Sequence, residues 1–427
     1  MRRFFIAVQL VLACLLLGAA AAPAMRDAPV SRNAASRRPT AAAAGMSARR
    51  VLCHRQSRAQ ARRAGHKQRR LVCRLARRTR DAAPAASGQL IVGLNADVAG
   101  WGGASTAPRL DQVVSQTGAK WLREEFAWDR IEPQRGVFDF SYYDHFMLLA
   151  AQRGEHVLAL LYEAPSWAAP SYNAIPADPT AFAQYVAAVV NRYGPHGTFW
   201  AEHPGLAGSA IRNIELWNEP FSATGDDGVY DPGRYARLVK AAAIAAHAVS
   251  PAVDILLAAE MQSGRDARGN WQWWVDALYR AVPDLNRYFG GVAMHDYGTD
   301  TRTLSPMVAG QPYQNYGHML RIENLRREFV NHGGAGKPFW ITEVGWSTCT
   351  QAGMDCVSQA QQADNLTTLF ADANGLWSNW LQAVFVYRYG DGSQPSTVQD
   401  AYGLTELDGT PKAALGVFRS AVEASGG

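Results

Sequence analysis

From Gly88 onward the chain alternates between two textures. Short apolar runs recur at Leu90–Leu94, Trp121–Arg123, His156–Tyr162, Ile211–Trp217, Asp254–Ala259, Gly291–His295, Phe339–Glu343 and Val384–Tyr387. Between them lie stretches with the apolar spacing of amphipathic helices: Tyr142–Arg153, Thr180–Tyr193, Pro232–Val249, Trp271–Val282, Tyr316–His332, Ser358–Ala373 and Lys412–Glu423. The runs are apolar almost throughout, as expected of parallel strands covered on both faces. Strand and helix alternate about eight times, which predicts an α/β fold, a (β/α)8 TIM barrel spanning residues 88–427. An open doubly wound sheet is the competing architecture. It would need a phosphate-binding glycine fingerprint after its first strand, and Gly93-Leu94-Asn95-Ala96 does not supply one.

The first 87 residues have neither texture. Met1-Arg2-Arg3, an apolar stretch from Phe4 to Leu17 and small residues through Ala22-Pro23-Ala24 have the three parts of a secretory signal peptide, with cleavage expected after Ala24. An uncleaved anchor is the weaker reading, because its last residues are alanines. Residues 25–87 carry 17 basic residues against Asp27 and Asp81 and almost no aromatics, a basic Ala/Arg-rich low-complexity segment that cannot bury a core of its own. Val51–Arg78 reads as a basic helix or helical hairpin. For the whole segment, a solvated linker and an arm adhering to anionic envelope polymer or lipid headgroups both stand.

Composition sharpens this division. The chain has 427 residues, 48% of them hydrophobic, and a net charge of +5, which excludes global disorder and collagen-like repeats. The average conceals its parts, for residues 88–427 hold 23 basic and 35 acidic residues. A folded body this acidic on an exported chain makes nucleic acid a poor partner despite the arginines. Without Cys14, which leaves with the leader, four cysteines remain, an even number suited to an oxidising compartment. Cys349 and Cys356 bracket a short loop and are the obvious local pair, leaving Cys53 for Cys73. Two further pairings are formally possible. No standard zinc spacing occurs, so neither metal nor cofactor is expected.

In such a barrel, polar residues that close strands face the functional rim. Two strand ends stand out: Trp217-Asn218-Glu219-Pro220 on the fourth run and Ile341-Thr342-Glu343-Val344-Gly345-Trp346 on the seventh. Each delivers a glutamate to the same rim from nearly opposite sides. Pro220 is expected to hold Glu219 in extended backbone. One carboxyl group that protonates a leaving oxygen and a second that attacks the anomeric carbon are what glycosidic bond cleavage requires. A single glutamate at a strand end is more often merely solvated or salt-bridged; the pair, flanked by aromatics, points to chemistry.

These two motifs resemble those of the retaining glycoside hydrolases of clan A, most closely families 5 and 39 and bacterial endoglycosidases. The resemblance implies Glu219 as acid/base, Glu343 as nucleophile and Asn218 as a ligand of the hydroxyl beside the anomeric centre. Arg123 on the second strand, His295 and Tyr297 at the sixth and Tyr387 at the eighth also match the clan pattern, although many family 5 members carry Trp at the last position. Arg123 is expected to bond Glu343, with pairing to Glu124 or Glu125 as its structural alternative. Tyr297 is expected to position an oxygen of Glu343. Tyr162, Trp167, Trp217 and Trp346 are candidate stacking platforms for sugar, Trp340 is expected in the core, and Trp271, Trp273 and Trp274 are read as the core-facing start of a helix.

The resulting expectation is a secreted or envelope-associated monomer that cleaves β-glycosidic bonds in a polysaccharide or oligosaccharide. An exo-acting β-glycosidase such as a β-xylosidase, or a transglycosidase, is the alternative within enzymes. A non-catalytic carbohydrate-binding envelope protein is the alternative outside them.

Overall fold

Eight parallel strands close into a barrel: β3 (Ile91–Asn95), β4 (Trp121–Ala127), β5 (His156–Tyr162), β6 (Asn213–Leu216), β7 (Asp254–Ala258), β10 (Gly291–His295), β11 (Phe339–Val344) and β12 (Leu381–Tyr387). The structure is a computed structural model that describes residues 50–55, 71–76, 88–100, 103–221, 230–261, 263–265, 268–297, 321–352, 354 and 356–426. Closure is made by β12 beside β3, from Ala383 opposite Ile91 to Tyr387 opposite Asn95. A helix follows every barrel strand: α1 (Thr106–Thr117), α2 (Ser141–Gln152), α3 (Pro179–Tyr193), α4 (Pro232–Val249), α5 (Trp274–Ala281), α6 (Arg321–Asn331), α7 (Gln359–Asn374) and α8 (Ala413–Ala424). The (β/α)8 expectation is met.

Local chemistry explains where several helices begin. The Asp178 carboxylate accepts from the Thr180 backbone N–H at 2.9 Å with Pro179 at the first helical position, and Asp231 accepts from the Arg234 N–H with Pro232 placed likewise. Ser358 caps α7 through the Gln361 N–H. Inside the barrel, Leu158, Leu256, Ala293, Trp340, Ala383 and Phe385 form an apolar plug, so Trp340 is core as expected. Gly93 leaves space for that plug, because a Cβ there would stand 2.3 Å from the Phe385 ring. A larger apolar cluster fills the layer between strands and helices.

Three expectations change. Helix α1 escaped the pattern reading because Pro108 interrupts it; its buried residues Leu110, Val113 and Thr117 nonetheless keep helical spacing. Trp271–Val282 is not one helix: β8 (Ser263–Arg265) and β9 (Trp271–Trp273) form an antiparallel hairpin, and the helix starts only at Trp274. The segment around Cys53 and Cys73 is not helical either. There β1 (Arg50–Arg55) and β2 (Leu71–Ala76) pair antiparallel with Cys53 directly opposite Cys73. This hairpin and the barrel belong to separate compact units. The proposed leader, residues 1–24, Trp101 and the first part of the expected helix Tyr316–His332 lie outside the described residues. Among the described residues no helix is long and apolar enough to cross a membrane.

Candidate active site

The seventh barrel strand presents Glu343 by breaking its own alternation. Counting by twos from the inward Trp340 makes Thr342 the inward residue and would turn Glu343 outward. Register shifts on both sides of β11 correct this, between Ile341 and Val344 against β12 and between Met294 and His295 against β10. Both consecutive residues thereby reach the barrel axis: Thr342 Oγ1 donates to Glu215 at 3.0 Å, and Glu343 accepts from Arg123 Nη1 and from the Tyr297 hydroxyl, each at 2.7 Å. Re-aiming a side chain is a recurrent use of such irregularities.

Glu219 arrives by a different device. Strand β6 ends at Leu216, and Trp217 and Glu219 both adopt left-handed backbone, φ 67° and 46°. The expectation that Pro220 holds Glu219 extended is therefore wrong. A proline disfavours the right-handed helical region of the residue before it, and here the chain uses the left-handed region to turn sharply off the strand. Such conformations cost about 1–3 kcal/mol each and persist where surrounding contacts enforce them. Trp217 supplies one such contact, for its buried indole donates to the Asn173 carbonyl at 3.1 Å.

Between the two glutamates sits a charge network. The buried Arg123 donates to Glu215 through Nε and Nη2 (2.7 and 3.2 Å), to Asn95 Oδ1 (2.8 Å) and to Asn218 Oδ1 (3.2 Å), besides Glu343. Burial opposes its charge, but Glu215 and Glu343 more than offset this and strengthen its hold on the proton. Burial would likewise neutralise Glu215, yet Arg123 and His295 hold its carboxyl down to about 2. Glu124, the structural alternative partner, instead accepts from the Val98 and Ala99 backbone N–H groups.

His295 links the halves of the site. Its Nδ1 lies 2.9 Å from Glu219 Oε1 and 3.4 Å from Glu343 Oε2. Burial disfavours an imidazolium, but Glu343, Glu215 and Glu219 together push its pKa up to about 10. With both nitrogens protonated, the 3.3 Å approach of Nε2 to Arg123 Nη2 is a like-charge contact, offset by Glu215 Oε1 at 3.7 Å. Folding also assembles what sequence spacing did not reveal: donor atoms of Glu219, His295 and Glu343 lie within 4.8 Å of one another, a separation that would suit a metal ion. Arg123 already neutralises Glu343 there, and the imidazolium nitrogens carry protons rather than lone pairs, so these residues fit proton chemistry better than a cation.

The aromatic expectations divide. Tyr387 packs edge-on against Tyr297 (6.1 Å between centroids), and Tyr402 completes a triangle with both. Trp217 is fully buried and Trp346 is only 3% exposed, so neither offers a face to a sugar; both belong to the core. Tyr162 is also buried. Trp167 is half-buried, tied by its indole to the Glu132 carbonyl and lying edge-on to Trp128 rather than joining the charge network. Trp274 is core as read, but Trp271 is 64% exposed. Sequence reasoning missed Glu215, Asn95, Thr342 and Tyr402. For Glu215 a signal existed: an ionisable residue inside a run expected to be buried on both faces demands a buried partner. The Cys349–Cys356 bond forms as expected, in the loop after β11.

Comparison with known proteins bears on the barrel that carries this site. The profile of glycoside hydrolase family 42, beta-galactosidase, matches residues 105–176, a span that includes Arg123 but neither Glu219 nor Glu343. No curated protein matches the sequence significantly. Among solved structures the chain is similar to a family 39 glycoside hydrolase from the gut symbiont Bacteroides cellulosilyticus WH2 (17% identity, TM-score 0.55, covering 83% of this chain and 67% of that one). It is similar to a monomeric beta-xylosidase from Caulobacter crescentus CB15 (16%, 0.54, 78% and 69%) and to a GH5_18 protein from Bifidobacterium longum subsp. infantis (14%, 0.54, 79% and 79%). The barrel is shared with families 39 and 5. The resemblance read from the two glutamate motifs thus extends to the fold.

Proposed function

We propose that the protein is a retaining β-glycoside hydrolase with Glu219 as acid/base and Glu343 as nucleophile. The observation that carries this reading is the approach of the two carboxyl groups, oxygen to oxygen within 4.8 Å across the barrel mouth. Retaining enzymes hold these groups ~5–5.5 Å apart, whereas inverting enzymes need ~6.5–9.5 Å to admit a water. Charge counting supports the division of roles. Arg123 and the His295 imidazolium balance ionised Glu215 and Glu343, and the cluster is neutral when Glu219 keeps its proton.

The steps follow from these positions. A Glu343 oxygen attacks the anomeric carbon while Glu219 passes its proton to the glycosidic oxygen, and the bond to the leaving sugar breaks. Arg123 and Tyr297 each hold one Glu343 oxygen, so the carboxylate is aimed before substrate arrives. The Asn218 carbonyl oxygen is engaged by Arg123, which turns its amide N–H groups to the hydroxyl beside the anomeric centre. Glu219, now ionised, takes a proton from water, which attacks the same carbon and releases Glu343 with net retention.

Replacing Glu343 by Ala should abolish hydrolysis, and azide should restore turnover to give the glycosyl azide of inverted configuration. Full activity without azide would overturn the assignment. A β-linked polysaccharide is the substrate this reading favours, acted on outside the cell after removal of residues 1–24. The likeness to a beta-xylosidase supports exo action as a second reading; release of single sugars from chain ends, rather than a ladder of oligomers, would decide for it. Residues 25–87 would hold the acidic barrel to an anionic envelope surface. Retention of the protein on envelope fractions at high salt, or equal release without that segment, would count against the arm.

A further inference from the structure

The hairpin of β8 and β9 lies in the loop between strand β7 and helix α5, so it stands on the same rim of the barrel as the two glutamates. Its neighbour is the loop that carries Glu219, which runs from β6 to α4. Tyr230, at the end of that loop, donates its hydroxyl to the Gln272 carbonyl at 3.3 Å. The Tyr230 ring seats so closely on Gly264 that any Cβ there would meet it at 2.4 Å. Tyr230 also lies edge-on to Trp274 at the root of the hairpin. The hairpin is therefore docked on Tyr230, in the same β6-to-α4 connection that contains Glu219.

On this support stands the exposed Trp271. The guanidinium of Arg265 lies over the ring at 4.6 Å and is itself tied to the Gly269 carbonyl at 2.8 Å, which fixes the indole from one side. Ser263, Gln272 and Trp273 join Trp271 around a pocket of about 240 Å³. An indole exposed beside a hydroxyl, a carboxamide and a guanidinium suits a pyranose, whose C–H face is apolar and whose edge carries hydroxyls.

We infer that the β8–β9 hairpin, through Trp271, binds a sugar ring on the leaving-group side of the cleavage point, so that the substrate continues beyond the bond that is cut. The inference rests on the glycosidase reading, since it is Glu219 that protonates the departing oxygen and the hairpin packs on the loop of Glu219. It places the affinity for an extended chain in a residue that takes no part in bond breaking.

Two substrates of one sugar separate this role from a structural one: the β-glycosyl fluoride, whose leaving group is a single atom, and the β-linked oligosaccharide. Trp271→Ala should leave kcat/KM on the fluoride within about twofold and lower kcat/KM on the oligosaccharide about tenfold, mostly through KM. Trp271→Phe should recover part of the loss. Equal effects on both substrates, or none on either, would overturn the platform. Indole fluorescence titrated with xylo-, cello- and galacto-oligosaccharides tests binding apart from turnover. If wild-type protein hydrolyses none of them, the glycosidase reading fails; the platform fails as well if no oligosaccharide binds or if Trp271→Ala binds as tightly as wild type.

Discussion

The centre of the barrel mouth and its aromatic rim are built on opposite principles. At the centre the charged side chains share partners: Arg123 alone spans Glu215, Glu343, Asn95 and Asn218, and two register shifts serve to bring Thr342 and Glu343 to one side. At the rim the Trp271 indole stands in solvent on a short hairpin. Buried charges must be paired or they cost several kcal/mol, so the centre admits few alternative arrangements. An exposed ring is under no such constraint and is free to serve a ligand. On the proposed reading, reactivity belongs to the paired centre and the preference for longer chains to the exposed ring.

The comparison breaks first at Glu219. Glu219→Ala should lower kcat by roughly 10²–10⁴-fold on substrates whose leaving group needs protonation and far less on glycosyl fluorides. A uniform loss over both classes, measured by steady-state kinetics, would remove Glu219 from its role as acid. Next is Glu215→Gln, which keeps shape and deletes charge beside a buried guanidinium. It should destabilise the fold by about 3–5 kcal/mol in denaturant melts. It should also lower the pH at which the His295 imidazolium loses its proton, followed by NMR of the ring, because Glu215 helps to keep His295 protonated. The folded-state pKa of His295 is raised from 6.5 to about 10, so the stability this adds is complete below about pH 6.5 and lost as pH rises through 10. Wild-type melting temperature should fall across that window, and His295→Asn should flatten the slope; parallel curves would show that other groups cause it.

Much of the centre was legible in the sequence because the barrel repeats. Seven helices and eight strands announce themselves by period, and strand ends then point to Glu219 and Glu343, whereas Arg123 and His295 came from the resemblance of the motifs to clan A. Glu215 was missed although its run, Ile214-Glu215-Leu216, leaves a carboxylate no route to water. The rim was misread for another reason. Trp217 follows a strand directly, at the rim where a strand-end loop can face a ligand, but its backbone is left-handed and its indole lies in the core. Trp271 precedes a helix and reads as its first turn, while pairing with Ser263–Arg265 holds it out in a hairpin. Tertiary pairing, not local preference, decides both.

That contrast among tryptophans is measurable. Trp217→Ala should cost about 3–5 kcal/mol as a large core truncation, whereas Trp271→Ala should change stability by no more than about 0.5 kcal/mol. Thermal or urea unfolding of the two variants side by side would reverse the assignment of core and platform if Trp271→Ala proved the more damaging.

The smallest effect on kcat tests how tightly the centre is specified. Tyr297→Phe removes one hydrogen bond to Glu343 and leaves the ring between Tyr387 and Tyr402, while Arg123 still holds the other oxygen. A hydrogen bond to a charged group contributes ~1.5–3 kcal/mol, so kcat should fall by about 10- to 100-fold. The direction of the KM change separates two causes. If the hydroxyl only aims the nucleophile, KM stays near the wild-type value and formation of the glycosyl ester slows. If the tyrosine triangle instead shapes the sugar's seat, KM rises while the burst of ester formation is preserved, and the centre is then less insulated from substrate shape than its charge network implies.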